Sequence, residues 1–132
     1  MTKVIAGDGA IMGRLASYAA KQALGGEEIV ILNTEKVVIT GSRENIKERF
    51  QEKRRHVGSA QKGPKISRSS EKILKRAIRG MLPHRKGRGV LALKKIKCYV
   101  GVPKEFENAK KISGGKEITS KYITIGELKK QQ

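Results

Sequence analysis

The stretch VIAGDGAIMGRLAS, residues 4–17, and the run EEIVILN, residues 27–33, decide the fold. Residues 3–6 are apolar enough for a first strand, and Gly7, Gly9 and Gly13 punctuate the turn and helix start after it. From 11 to 24 the residues Ile11, Leu15, Ala16, Ala19, Ala20 and Ala23 recur at spacings of three and four. That spacing predicts a helix with one buried face. Gly25 and Gly26 end it. Residues 27–33 are a continuous β-branched run, the pattern of a strand covered on both faces. Strand, helix and strand in so short a span form a βαβ unit with parallel strands.

A glycine-rich turn between strand and helix also suits a dinucleotide. The fingerprint for that ligand is G-x-G-x-x-G, with an acidic residue near the end of the second strand. Here the spacing is Gly7-x-Gly9-x-x-x-Gly13, one residue too long, and the second strand ends at Asn33, with Glu35 two positions further on. The alternative is that Gly9 permits a tight turn and Gly13 a close approach of helix to strand. A dinucleotide-binding enzyme and a purely structural βαβ unit are both kept open at this point.

Charge narrows the choice. The 132 residues carry 30 Lys and Arg against 12 Asp and Glu, a net +18. Residues 1–41 hold four cations and four anions, whereas residues 42–98 hold 19 cations and four anions. A compact domain so charged repels itself, and a polyanionic partner is the ordinary reason for it. Phe50, Phe106, Tyr18, Tyr99 and Tyr122 are the only aromatic residues. That is too few for a single-strand stacking platform, so phosphate contact and shape reading of structured nucleic acid are expected.

The cations fall on definite elements. Ser42 caps an expected helix to about residue 55, with Ile46 and Phe50 as its apolar stripe and Arg43, Arg49, Lys53, Arg54 and Arg55 as candidate contacts. Residues 56–64 read as a loop, and His56, Lys62, Lys65 and Arg68 join the candidates in this stretch. Residues 61–65 are expected to order on the nucleic acid. Ser69 or Ser70 then caps a helix whose apolar side is Ile73, Leu74, Ala77, Ile78, Met81 and Leu82, stopped by Pro83. Its other face shows Lys72, Lys75, Arg76 and Arg79, of which Arg76 and Arg79 are the candidates. HRKGRG, residues 84–89, is a basic glycine loop that offers His84, Arg85, Lys86 and Arg88, its glycines letting the backbone approach a phosphate. VLALKK, residues 90–95, is a short helix ending in Lys94 and Lys95.

Residues 96–100 alternate Ile96, Cys98 and Val100 with Lys97 and Tyr99 and read as a strand. Residues 36–41 form a short strand or an extended segment, residues 112–119 read as loop, and Thr124 with Glu127 suggests a capping box for a helix from 125 to about 130. One domain is expected over 1–132. The sequence has no apolar run of membrane-spanning length and no secretory leader pattern. With Cys98 alone there is no intrachain disulfide, and a cytoplasmic setting is expected. His56 and His84 have no carboxylate close in sequence, Cys98 sits at an apolar position of a strand, and no zinc spacing is present. No catalytic residue, metal or cofactor is therefore assigned. A nucleic-acid-binding protein outside the ribosome fits this composition as well as a ribosomal one.

At RAIRGMLPHRKGRGVLALKKIKCYVGVPKE, residues 76–105, the chain resembles the ribosomal protein L-thirteen family of the large subunit. The matching parts are RGMLP at 79–83, RG at 88–89 and the Y-x-G-x-P of 99–103. GRLAS at 13–17 and ILNTEKVVITG at 31–41 match the family's N-terminal half. KYITIGEL at 121–128 and MLPHRKGRG at 81–89 look like its archaeal and eukaryotic branch. The resemblance implies an α/β fold, a three-layer α/β/α domain with a mainly parallel sheet of about four strands. It implies a structural role on the ribosome, binding folded large-subunit rRNA during assembly beside neighbouring large-subunit proteins, with no catalysis and no small-molecule substrate. It carries Arg76, Arg79, Arg85, Lys86 and Arg88 over as rRNA contacts; for the residues of 43–55 charge alone speaks.

Overall fold

The structure is a computed structural model that describes residues 2–55, 69–109, 111–113 and 120–129, with backbone alone for 54, 55, 113 and 129. The expected loop over 56–64, with the candidates His56, Lys62 and Lys65, lies outside the described residues, as does Arg68.

The opening unit forms as its pattern predicts. Strand β1 (Thr2–Ala6), helix α1 (Met12–Leu24) and strand β2 (Glu28–Leu32) come in succession, and β1 pairs with β2 in parallel, Val4 opposite Val30. In β2 four of five residues are buried. Ile29 and Ile31 face the main helical core, while Val30 and Leu32 face a second cluster with Val4. Strand β4 (Ile96–Cys98) lies beside β2, and β5 (Lys111–Ser113) lies beside β1, both parallel, so the sheet order is β4-β2-β1-β5.

Three helices cover one face: α1, α3 (Ser70–Gly80) and α4 (Gly87–Lys94). The alanines of α1 at 16, 19, 20 and 23 are all buried, and their small side chains let it pack closely against its neighbours. The other face is covered thinly. A 3-10 turn at Lys104–Phe106 brings Phe106 within 5.9 Å of Tyr99, centroid to centroid, and both rings pack over Val4, Val30 and Leu32. This is the expected three-layer α/β arrangement, with a slender third layer.

Residues 38–40 do form a strand, β3 (Val38–Thr40), in a second sheet. There it pairs antiparallel with β6 (Tyr122–Thr124), which leads into helix α5 (Ile125–Lys129). Helix α2 (Arg43–Arg55) packs on this small sheet through Ile46 and Phe50, against Ile123 and Leu128.

Several expectations need correction. Residues 111–113, read in part as loop, are the edge strand β5. Tyr99 does not point outward: it lies over the second cluster, and Val100, expected on the apolar side, is exposed because β4 ends at Cys98. Met81 is also exposed, since α3 ends one residue before it. Helix α4 starts at Gly87, inside the expected glycine loop.

Candidate nucleic-acid interface

The opening glycine turn is committed to the chain's own structure. A Cβ on Gly7 would come 2.8 Å from the Leu32 carbonyl oxygen and from Val37 Cγ2, so only glycine lets β1 leave the sheet here. Gly9 has φ +69°, a left-handed turn position. Around Gly13 a Cβ would meet nothing within 4 Å, so close packing is not the reason for that glycine. Asp8 sits in the same turn, accepts a hydrogen bond from Asn33 Nδ2 at 2.7 Å and pairs with Lys36 at 3.6 Å. Its negative charge stands near the start of α1, where a dinucleotide's phosphates would sit, and opposes them. The carboxylate of Glu35, the nearest acid to the ribose position, accepts the Gly101 backbone N–H at 3.0 Å. Both acids have structural work here, and the fingerprint is a folding device.

The basic region divides into three parts. Helix α3 places Lys72, Lys75, Arg76 and Arg79 at offsets of three, four and seven, one stripe along the helix. This stripe faces α2 across an open groove of about 540 Å³. Lys53 of α2 completes its rim, and Met12, Phe50, Ile73, Ala77 and Leu93 form its apolar floor. The groove thus gathers Lys53, Arg76 and Arg79 of the sequence candidates, and adds Lys72 and Lys75. These two were visible as part of a periodic stripe; the burial of Phe50 against α3 was not, because it depends on how α2 docks.

The second part is the turn after α3. Gly89 explains its shape: a Cβ there would overlap the Pro83 carbonyl group, so the first turn of α4 lies directly on the Pro83–His84 backbone. The expectation that both glycines of this stretch serve a phosphate is therefore corrected for Gly89, which is buried; Gly87 has open space around it. His84 Nδ1, as an N–H, donates to the carbonyls of Arg79 at 3.2 Å and Leu82 at 3.3 Å. That ties the turn to the Arg79 carbonyl in the last turn of α3 and to the Leu82 carbonyl just beyond it. Arg85, Lys86 and Arg88 are exposed on this fixed turn, as are Lys94 and Lys95 at the far end of α4.

The third part is α2. Arg43 donates to Glu127 Oε2 at 2.8 Å. Its candidate role is thus shared with an internal partner, and the Glu127 carboxylate, expected to cap α5, reaches α2 instead. Arg49 is exposed; Arg54 and Arg55 have backbone alone described.

Electrostatics sets this surface apart. Among the described residues only Lys36 and Arg43 form ion pairs with carboxylates. Among the described residues the cations of α3, the turn after it and α4 have no carboxylate partner, which leaves them free to meet an anion. Cys98 is a poor nucleophile in this setting. Burial pushes the Cys98 thiol up to about 12, against a partial downward pull from Lys75 and with a further push from Glu71. At neutral pH it stays a protonated thiol. Among the described residues no group of three or more His, Cys, Asp or Glu could hold a metal. No helix among them is long and apolar enough to cross a membrane.

Residues 1–105 match the model of a family described as Ribosomal protein L13. A protein of Methanocaldococcus jannaschii named large ribosomal subunit protein uL13 is 50% identical over 130 residues, covering 96% of this chain and 94% of that one. The protein of the same name from Methanococcoides burtonii is 44% identical over 133 residues, with 97% and 95% covered. The one from Archaeoglobus fulgidus is 41% identical over 135 residues, with 95% and 83% covered.

Proposed function

The chain belongs to the ribosomal protein L13 family, and from that premise we propose that it binds and stabilises folded large-subunit rRNA as the subunit assembles. Membership makes it a structural constituent of the large ribosomal subunit, in a family of ribosomal proteins rather than of enzymes. The observation that supports rRNA contact is the run of cations on α3, the turn after it and α4, none of them neutralised by a carboxylate among the described residues.

The mechanism is electrostatic clamping by a rigid frame. Each phosphate met by Arg or Lys releases condensed counterion, so binding is driven by salt-sensitive entropy. The helices are already ordered, so little conformational freedom is lost on docking. Arginine forks on α3 and the turn suit paired phosphate oxygens. Recognition goes through backbone shape and 2′-hydroxyls, because the major groove of a folded RNA stem is too deep and narrow for side chains to read. Neighbouring large-subunit proteins pack around the same RNA.

Arg79 and Arg88 test the assignment. Replacing either by Ala weakens binding to the cognate rRNA and lowers the salt slope by roughly one unit per lost phosphate contact. Unchanged affinity and slope in both variants would remove the α3–α4 face from the interface.

A further inference from the structure

The groove between α2 and α3 is built for more than phosphate. Its rim is cationic, yet its floor is entirely apolar and carries an aromatic ring. A paired RNA stem presents phosphates, sugars and base edges but no base face, and leaves the apolar floor bare. We propose that this groove receives one unstacked rRNA nucleobase, laid against Phe50 and the Ile73–Ala77 side of α3. The flanking phosphates then meet Lys53, Lys72 and Arg76. The inference rests on the proposed rRNA binding and deepens it.

Three observations carry it. The groove's volume of about 540 Å³ falls within the roughly 300–1,000 Å³ of sites that enclose small organic ligands, a class that includes a nucleoside. Phe50 is half-buried, so its ring is fixed by packing against Ile46 and its neighbours while part of it remains open. The Lys53 ammonium stands 5.6 Å from that ring's centroid, at the groove's mouth. A base that stacks on the ring takes the place of this ammonium and brings a flanking phosphate to it, so the cation–π contact is exchanged for an ion pair. The floor offers no strong hydrogen-bonding side chain, so the base is held by its face and not read by its edge. The site tolerates any base and selects instead for an RNA position that is free to unstack. An acidic protein segment would also match the rim, but the aromatic ring on a short apolar floor favours a flat heterocycle over an extended chain.

The test uses the full chain and cognate, deproteinised large-subunit rRNA. Binding is titrated over a series of salt concentrations, and unpaired bases are probed with dimethyl sulfate, carbodiimide and kethoxal. Phe50→Leu keeps the apolar volume and removes the ring; Ala77→Trp keeps the ring and fills the floor. Thermal unfolding establishes that each variant folds, and Phe50→Tyr serves as the conservative rescue. The expected result is a loss of affinity of about tenfold in the first two variants with the salt slope unchanged. One unpaired base protected by the wild type becomes reactive again, and Phe50→Tyr restores the protection. Wild-type affinity and protections in both Phe50→Leu and Ala77→Trp would overturn the proposal while leaving salt-dependent rRNA binding intact. Normal rRNA binding with loss of one neighbouring protein from reconstituted subunits would assign the groove to a protein segment, and overturn it too. A wild type that shows no salt-dependent binding would instead remove the functional reading, and this inference with it.

Discussion

Gly89 and Gly87 stand two residues apart in one basic stretch, and only one of them is required by packing. At Gly89 any side chain overlaps Pro83, whereas at Gly87 it meets open space. Gly89→Ala should therefore cost about 3 kcal/mol by overpacking, lowering the melting temperature by roughly 10 °C, while Gly87→Ala leaves it nearly unchanged. Equal melting temperatures would show that the turn is not wedged against Pro83. Cys98 gives a second residue-level prediction. Its thiol is raised from 9.0 to about 12 in the folded chain, chiefly by burial. Below pH 9 folded and unfolded chains both hold the proton; between 9 and 12 only the unfolded chain releases it, so stability falls as pH rises through that window. The wild type should lose stability more steeply from pH 9 to 11 than Cys98→Ala does, as read by denaturant unfolding. Parallel curves would contradict the burial of the thiol. Gly89's close contact was not legible in the sequence, since it depends on the far side of a turn, whereas the apolar strand position of Cys98 already pointed to the burial that raises its thiol.

At the scale of elements, legibility tracked length and periodicity. Helices α1 and α3, and strands β1 and β2, each carry enough apolar residues in register for their type to be read directly. The three-residue strands β5 and β6 do not. Lys111–Ser113 has a lysine and an exposed Ile112, and only pairing with β1 makes it a strand. The start of α4 was hidden because Gly87 and Gly89 look like loop until the Pro83 contact is seen. Of the candidate site, the α3 stripe was legible as charge; its pairing with Lys53 across the groove was not. The stripe and α2 should behave differently under mutation. Arg76→Gln with Arg79→Gln should lower the salt slope of rRNA binding by about two units. Arg43→Gln, whose guanidinium is already on Glu127, should change the slope little. It should also cost less than about 1 kcal/mol of stability, because the pair is largely solvent-exposed. A slope change in Arg43→Gln as large as in the double variant would place α2's first turn on the RNA and erase the distinction.

For the whole molecule, the near-neutral first third supplies the platform and the middle supplies most of the charge, +18 in all across the chain. Salt therefore acts on it in two opposite directions. It screens repulsion among unpaired cations, so the free protein should melt at a higher temperature in roughly 0.3 M than in roughly 0.03 M KCl. It competes with phosphate contacts, so the same change should weaken rRNA binding steeply. A melting temperature that falls with salt would mean that internal ion pairs, not self-repulsion, dominate the fold. The measurement that bears most directly on the account is an electron cryomicroscopy map of the intact large subunit containing this chain. The prediction is that Arg76, Arg79, Arg85 and Arg88 lie within hydrogen-bonding reach of rRNA phosphates. A map that leaves the α3–α4 face turned to open solvent, with no RNA beside it, would contradict the central claim.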